Sequence, residues 1–207
     1  DIPQTALQSY NQLAWFDGAA DYISIADHND FSFDASSQTF SLSAWIFWNG
    51  SDGTIQSFFG KWGASAREWL FRINASDKLE LILYDESEDG YIGIRDGTSF
   101  VAGQWHHVVA TATTGTTNAS CKVYLNGESV GDTSSDSGTF VAMEQLAGVV
   151  SIGSDTPSTL RAFNGSVTEA CIFDKTLSAT EVTELYNSGL ALDATTHSAS
   201  SDLIGYW

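Results

Sequence analysis

The feature that most constrains this chain is a repeated alternation of apolar and polar residues in short segments separated by turn residues. The alternation continues to about residue 175. The segment "TFSLSAWIFW" is the clearest case, because every second residue is apolar: Phe40, Leu42, Ala44, Ile46 and Trp48. Successive side chains of a β-strand point to opposite faces, so these five share one face. Many such strands bury their apolar faces by packing two sheets together. The sequence therefore predicts an all-β, two-sheet antiparallel β-sandwich.

Local signals add turns and a helix to this prediction. The segment "YLNGES" carries Asn-Gly between two strand-like runs, which favours a tight β-hairpin. In "LSATEVTELYNSG", Ser178 and Glu181 have the spacing of a capping box, and Gly189 is suited to end the helix in the left-handed conformation. We therefore expect one short C-terminal helix after the last long strand.

The charge balance excludes some partners. The chain has 26 acidic residues and 8 basic ones, a formal net charge of −18. A field of this sign repels phosphate backbones and anionic membrane surfaces, so we expect no nucleic-acid partner. Apolar runs stay well short of the roughly 20 residues of a membrane helix, so we expect no membrane insertion. The charge suits cations, and its alternative role is solubility alone.

The termini and the cysteines give two further expectations. The chain begins with Asp1, so we expect it to be a processed or trimmed part of something longer. Its two cysteines, Cys121 and Cys171, lie on apolar faces of alternating segments. Buried free thiols are the expected state, and a disulfide between them is the alternative.

An ordered set of phrases resembles a known family. They are "FDGAADYISI", "FSLSAWIFW", "WHHVVATAT", "CKVYLNGE", "SIGSD" and "FNGSVTEACIFDKTLSATEVTELYNSG". As a set they resemble the laminin-G-like, concanavalin A-like jelly-roll domains over residues 13–189. The resemblance implies a single domain over residues 1–207, whose tail, residues 190–207, packs back or leads to a further domain. It also implies that Trp105 and His107, which match the family's Trp-x-His-Val strand, are structural.

The same resemblance implies a structural calcium ion. In similar domains the ion links the turn before the first strand to a late Gly-x-Ile-Asp-Glu strand. The matching positions here are Asp17, Thr168 and Glu169. Thr168 replaces the family's aspartate, so this site offers the ion a hydroxyl and a carbonyl where relatives offer a charge. The alternative is that Asp17 belongs to an ordinary Asp-Gly turn and that Glu169 is solvated.

A carbohydrate site needs aromatic faces and planar polar groups. The best candidate is the stretch "FGKWGASAREWLF", with two tyrosines beside the acidic turn "DESEDG". We expect its basic residues and first tryptophan to sit in an exposed turn, and its second tryptophan to begin the next strand or, alternatively, to be core. The predicted ligand-binding residues are Lys61, Trp62, Arg67, Trp69, Tyr84 and Tyr91.

Catalysis is not indicated by any motif. Glycoside hydrolysis needs two carboxylates held at a fixed separation, and related glucanases carry them alternating along one strand. This chain has no such run; the acids of "DESEDG" lie in a turn, where we expect them to be solvated, and Glu80 stands among apolar neighbours.

Three functions follow, of which the first is preferred. It is a non-catalytic carbohydrate-binding or adhesion module, for a glycan or cell-surface polysaccharide, in an extracellular or virion-surface protein. The second is a structural decoration or assembly domain that binds other subunits of a larger assembly. The third is a polysaccharide-cleaving enzyme.

Overall fold

The computed structural model describes residues 13–34, 37–50, 53–155 and 161–207. Its strands form two antiparallel sheets packed face to face, which confirms the predicted β-sandwich. The first sheet has, in spatial order, β1 (Ala14–Asp17), β13 (Asn164–Phe173), β3 (Thr39–Trp48), β8 (Trp105–Thr113), β9 (Lys122–Leu125) and β10 (Glu128–Ser129). The second has β11 (Gly131–Ser134), β7 (Gly90–Asp96), β6 (Leu79–Asp85), β5 (Ala66–Ile73), β4 (Gln56–Gly63), β12 (Val150–Ile152) and β2 (Ile23–Ile25).

The core lies between the two sheets and follows the predicted alternation. The five apolar residues of β3 named above face inward and are at most 2% exposed. The opposite sheet contributes large side chains to the same cluster, among them Phe59, Trp69 and Phe71. Residues on the other face of each strand therefore form the two outer faces of the sandwich, and parts of both faces are buried.

The predicted hairpin is present. Asn126 and Gly127 connect β9 to β10, and both have positive φ angles, 51° and 86°. Two consecutive left-handed residues match the twist of the flanking strands, which explains the Asn-Gly pair.

The predicted helix, α1 (Ala179–Tyr186), is also present. Ser178 Oγ accepts a hydrogen bond from the Glu181 N–H, and the Glu181 carboxylate accepts one from the Ser178 N–H, so the capping box is confirmed. The predicted end at Gly189 is wrong, because Asn187 already adopts the left-handed conformation. The helix buries Val182 and Leu185 against the outer face of the first sheet.

The C-terminal tail returns to the first sheet. A further strand, β14 (Leu203–Tyr206), pairs antiparallel with the second half of β13. The first half of β13 pairs with β1 along the same edge. Trp207 extends this pairing by exchanging backbone hydrogen bonds of 2.9 Å with Ala170.

Two expectations about buried groups differ in outcome. Cys121 and Cys171 are free and buried, as expected. The expectation that the acidic turn is solvated is wrong for Asp85, which is 1% exposed and accepts hydrogen bonds from the N–H groups of Val141 and Ala142.

No helix in the described ranges is long and apolar enough to cross a membrane.

Candidate functional site

The predicted ligand-binding residues lie on strands and not in an exposed turn. Lys61 and Trp62 belong to β4, and Arg67 and Trp69 belong to β5. The turn between these strands is confined to residues 64–65. The prediction of an exposed loop is therefore wrong, and strand alternation decides which side chains share a face.

Two of the six residues face into the sandwich. Trp69 is fully buried, and its indole N–H donates to the Phe31 carbonyl at 2.9 Å, so its alternative role as a core residue is confirmed. Lys61 is also fully buried and forms an ion pair with Glu68 and a 3.0 Å ion pair with Asp27. Neither side chain is accessible to a ligand in this structure.

The other four residues meet on the outer face of the second sheet. The Arg67 guanidinium lies 4.0 Å from the Tyr84 ring centroid, Trp62 packs edge-on against Tyr84, and Tyr91 stacks beside it. Glu86 binds Arg67 through hydrogen bonds of 2.7 Å and 2.8 Å. Burial, with the hydrogen bond to Asp89 second, raises the pKa of Tyr84 to about 12.

This cluster is more closed than the sequence predicts. Trp62 is 7% exposed and Tyr84 is 6% exposed, so the expectation that Trp62 is exposed is wrong. Tyr91 and Arg67 are half-buried. The cluster can offer a ligand the edges of these two side chains.

The three predicted calcium ligands do not form one site. Asp17 on β1 stands opposite Asn164 on β13, whereas Thr168 lies four residues further along β13, about 13 Å away at the usual rise per residue. Asp17 accepts the Ala19 N–H at 2.8 Å, the geometry of an Asp-Gly turn. Glu169 is buried and accepts a hydrogen bond from the Tyr206 hydroxyl.

The described residues contain no group of three or more His, Cys, Asp or Glu side chains arranged to hold a metal. Calcium binding by this chain stays a prediction, and thermal unfolding in calcium and in EDTA tests it.

A row of aromatic residues crosses the outer face of the first sheet. Trp15 on β1 stands opposite Ser166 on β13, Ser166 stands opposite Phe47 on β3, and Phe47 stands opposite Trp105 on β8. Directly opposed residues of antiparallel strands project to the same side. We call Trp15, Phe47 and Trp105 the aromatic row. Trp15 is 62% exposed, and Phe47 and Trp105 are half-buried with ring centroids 5.8 Å apart.

Polar side chains border the aromatic row on one side. Asp17, Asn164 and Asn49 occupy the next outward positions on β1, β13 and directly after β3, and we call them the polar row. Asn49 Nδ2 donates to Asn164 Oδ1 at 2.9 Å, which holds the two amides together. Gly18 has a φ of 81° and lies beside Asn164, and there the chain turns away from β1.

The C-terminal end of α1 borders the other side. Trp45 lies two residues from Phe47 on the same face of β3 and is buried under Ala191 and Tyr186. Next to them, Leu190 is 44% exposed. The helix and the segment after it therefore cover one end of this sheet, while Trp15 stays exposed and Phe47 and Trp105 stay half-buried.

Sequence reasoning missed this site for a traceable reason. The alternation in "TFSLSAWIFW" already places Phe47 on the outer face, and "AWFD" alternates in the same way around buried Phe16. That pattern could have identified Trp15 as an outward tryptophan. The missing information was the register that brings β1, β13, β3 and β8 side by side.

Comparison with known proteins agrees with this architecture. The family model described as the concanavalin A-like lectin/glucanases superfamily matches residues 17–183. A comparison with curated protein sequences finds no match.

Among solved structures, a candidate carbohydrate-binding protein from Bacteroides ovatus superposes with a TM-score of 0.61 at 16% identity, covering 90% of this chain and 49% of that one. This chain thus spans about half the length of that protein.

Two further structures share the fold. The receptor-binding domain of botulinum neurotoxin D superposes with a TM-score of 0.59 at 18% identity, covering 84% of this chain and 43% of the toxin domain. A pentraxin from Limulus polyphemus superposes with a TM-score of 0.51 at 15% identity, covering 82% of this chain and 83% of the pentraxin chain. The family match over most of the chain, together with the two-sheet architecture, shows that this chain belongs to the concanavalin A-like lectin/glucanases superfamily.

Proposed function

We propose that this chain is a non-catalytic carbohydrate-binding module of an extracellular or virion-surface protein. The aromatic row carries the proposal. Sugar rings present apolar C–H faces that pack on aromatic side chains, and their hydroxyls need planar polar partners nearby. The aromatic surface comes from Trp15, Phe47 and Trp105, and the planar polar partners come from the polar row. The binding function named for the Bacteroides ovatus structure is consistent with this use of the fold.

The carboxylates of the structure favour binding over hydrolysis. A glycosidase holds two carboxyl groups about 5–9.5 Å apart on either side of the bond. Asp17 is the carboxylate within the two rows, and Asp21 beside it accepts the Asp17 N–H at 3.3 Å. Both carboxylates therefore lie at the end of β1 and in the turn after it, at one edge of the row, and do not stand on opposite sides of it. Three buried glutamates elsewhere are engaged by other side chains: Glu68 by Lys61, Glu80 by Arg72 and Glu169 by Tyr206.

A second candidate function, an assembly domain, rests on an apolar groove at the edge of the sandwich. The groove has a volume of about 360 Å³ and is lined mainly by apolar side chains, among them Leu13, Ile23 and Trp207. These three are between 37% and 39% exposed. Exposed apolar surface of this kind favours contact with a protein partner.

Affinity electrophoresis in gels containing soluble polysaccharides tests the first proposal. We expect at least one polysaccharide to retard the wild-type chain. Trp15→Ala should lose about 2 kcal/mol of binding free energy, about thirtyfold in affinity, because it removes the most exposed ring of the row. Val141→Ala removes an exposed apolar side chain beside Asp85 of the second sheet, so it is the control and should bind normally. Tyr91→Ala tests the alternative cluster on the second sheet.

The outcomes separate the candidates. Loss of binding in Tyr91→Ala with retention in Trp15→Ala would move the site to the second sheet and refute the aromatic row. Absence of retardation by every polysaccharide, with self-association or assembly at micromolar concentration, would favour the assembly domain. Release of new reducing ends would show an enzyme.

A further inference from the structure

The direction of the aromatic row limits the shape of its ligand. The row runs across the strands, from β1 through β13 and β3 to β8. Neighbouring strands lie about 4.8 Å apart, so the backbones at Trp15 and Phe47 are about 10 Å apart. A single sugar ring cannot cover both side chains, whereas several consecutive rings of an extended chain can.

The ends of the row also favour an internal segment of a polysaccharide over a terminal sugar as the ligand. Among the strands that the structure describes, β1 is at the edge of its sheet, and Trp15 on it is 62% exposed. A ligand that packs on Trp15 can therefore continue past the edge of the sheet. The row lies between the polar row on one side and the segment at Leu190 and Ala191 on the other, as a shallow strip.

The charges around the row limit the chemistry of the polysaccharide that it can bind. Neither row contains a lysine or arginine, and the ionised side chain within them is Asp17. Sulfate and carboxylate groups are normally recognised by Arg or Lys through charge-assisted hydrogen bonds.

The basic residues elsewhere are largely occupied. Five of the eight form ion pairs with acidic side chains: Lys61, Arg67, Arg72, Arg161 and Lys175. Lys78 donates to the Gly97 carbonyl at 2.8 Å. The net charge of −18 adds long-range repulsion of any polyanion.

We infer that the aromatic row binds an internal segment of an uncharged linear polysaccharide, laid across the strands, and rejects sulfated or uronic-acid-rich chains. This inference rests on the proposed carbohydrate-binding function and names the class of glycan for the same site. The polar row hydrogen-bonds the hydroxyls along one side of the segment. Stacking and neutral hydrogen bonds, which salt does not screen, then carry most of the affinity.

Matched polymers test the inference. The probes are soluble β-glucan, mannan, xylan and galactan, each used beside its own sulfated derivative in affinity electrophoresis at low salt. We expect retardation by at least one uncharged polymer and about tenfold weaker retardation, or none, by its sulfated form. Raising the salt concentration should leave binding of the uncharged polymer nearly unchanged. Oligosaccharides of that polymer should compete with increasing potency as they lengthen, and the monosaccharide should not compete.

The possible failures are distinguishable. Tighter binding of a sulfated polymer that Trp15→Ala abolishes would overturn the charge inference and leave the proposed function standing. If the monosaccharide competes at the same concentration as long oligosaccharides do, the inference that an internal segment is bound is overturned. Absence of binding to every polymer, charged or not, would overturn the proposed function as well. If Val141→Ala binds like the wild type while Trp15→Ala does not, and both variants melt at the same temperature, the result supports binding at the aromatic row.

Discussion

Lys61 and Glu68 form an ion pair in which both side chains are completely shielded from solvent. The Lys61 ammonium also donates to Ser32 Oγ at 2.8 Å and to the Leu146 carbonyl at 2.5 Å. Glu68 accepts the Leu146 N–H at 3.0 Å. Burial raises the pKa of Glu68, and the contact with Lys61 opposes that rise. The pair therefore connects β4 and β5 to the segments before β3 and before β12, which is a structural role.

Lys61→Met should strongly destabilise the fold. It leaves the Glu68 carboxylate buried without its cation, which typically costs about 3–5 kcal/mol. Urea unfolding at pH 7 measures the loss. Lys175→Met is the matched control, because Lys175 pairs with Glu181 at the surface, so its urea midpoint should stay close to that of the wild type. Equal urea midpoints for the wild type and Lys61→Met would contradict the buried pair.

Stability should fall in mild acid because of His107. Burial, with the charge of His197 second, lowers the pKa of His107 to about 3, whereas an unfolded histidine titrates near pH 6.5. The unfolded state therefore takes up a proton first. The stability contribution is complete above pH 6.5 and is lost as the pH falls toward 3, by about 1.4 kcal/mol per pH unit.

His107→Gln isolates this effect. The amide can still reach Ser43 Oγ, which lies 3.0 Å from His107 Nε2 in the wild type. Between pH 6.5 and 4, unfolding of the wild type should take up one more proton than unfolding of the variant. The free energy of unfolding of the variant should therefore fall less steeply as the pH is lowered. Identical pH dependences would show that His107 is accessible to protons in the folded state.

Asp85 should contribute stability at a lower pH. Burial alone would raise its pKa, but hydrogen bonds from the N–H groups of Val141, Glu88 and Ala142 lower the pKa to about 2. The contribution is therefore present above about pH 4 and is lost as the pH falls toward 2. Asp85→Asn should cost about 1–3 kcal/mol at pH 7 in urea unfolding.

The same acidic turn supplies the control for that measurement. Glu88 is exposed, so Glu88→Gln should change stability by no more than about 0.5 kcal/mol. The difference between Asp85→Asn and the wild type should shrink near pH 2. A constant difference from pH 7 to pH 2 would show that the carboxylate charge plays no part.

The sequence predicts elements whose cause is local, and it fails where the cause is a neighbouring strand. The Asn126–Gly127 turn and the Ser178–Glu181 cap depend on residues close together in the chain, and both were predicted. The expectation that Lys61 and Trp62 lie in an exposed turn is wrong, because both belong to β4. Gly60 lies within β4, where a Cβ would be 2.5 Å from Leu70 Cδ1 and 3.2 Å from the Trp69 carbonyl oxygen, so the close approach of the neighbouring strand favours glycine there.

The candidate site shows the same limit. Alternation along a strand identifies an outward face, as it does for Phe47, but it does not say whether another element covers that face. Trp45 and Phe47 share the outer face of β3, yet Ala191 and Tyr186 cover Trp45 and leave Phe47 half-buried. The residues that decide this difference lie more than 130 positions further along the chain, so no local pattern contains it.

Cys121 and Cys171 should be unreactive until the protein unfolds. Both are buried, and burial raises the pKa of Cys121 to about 12 and that of Cys171 well above its usual value. The thiolate is the reactive form, so a thiol reagent at pH 8 finds little of it in the folded state. Ellman's reagent should titrate no thiol in the native protein and both in urea, with or without a reductant beforehand. A thiol that reacts rapidly in the native state would contradict the burial, and absence of both thiols in unreduced, unfolded protein would show the disulfide.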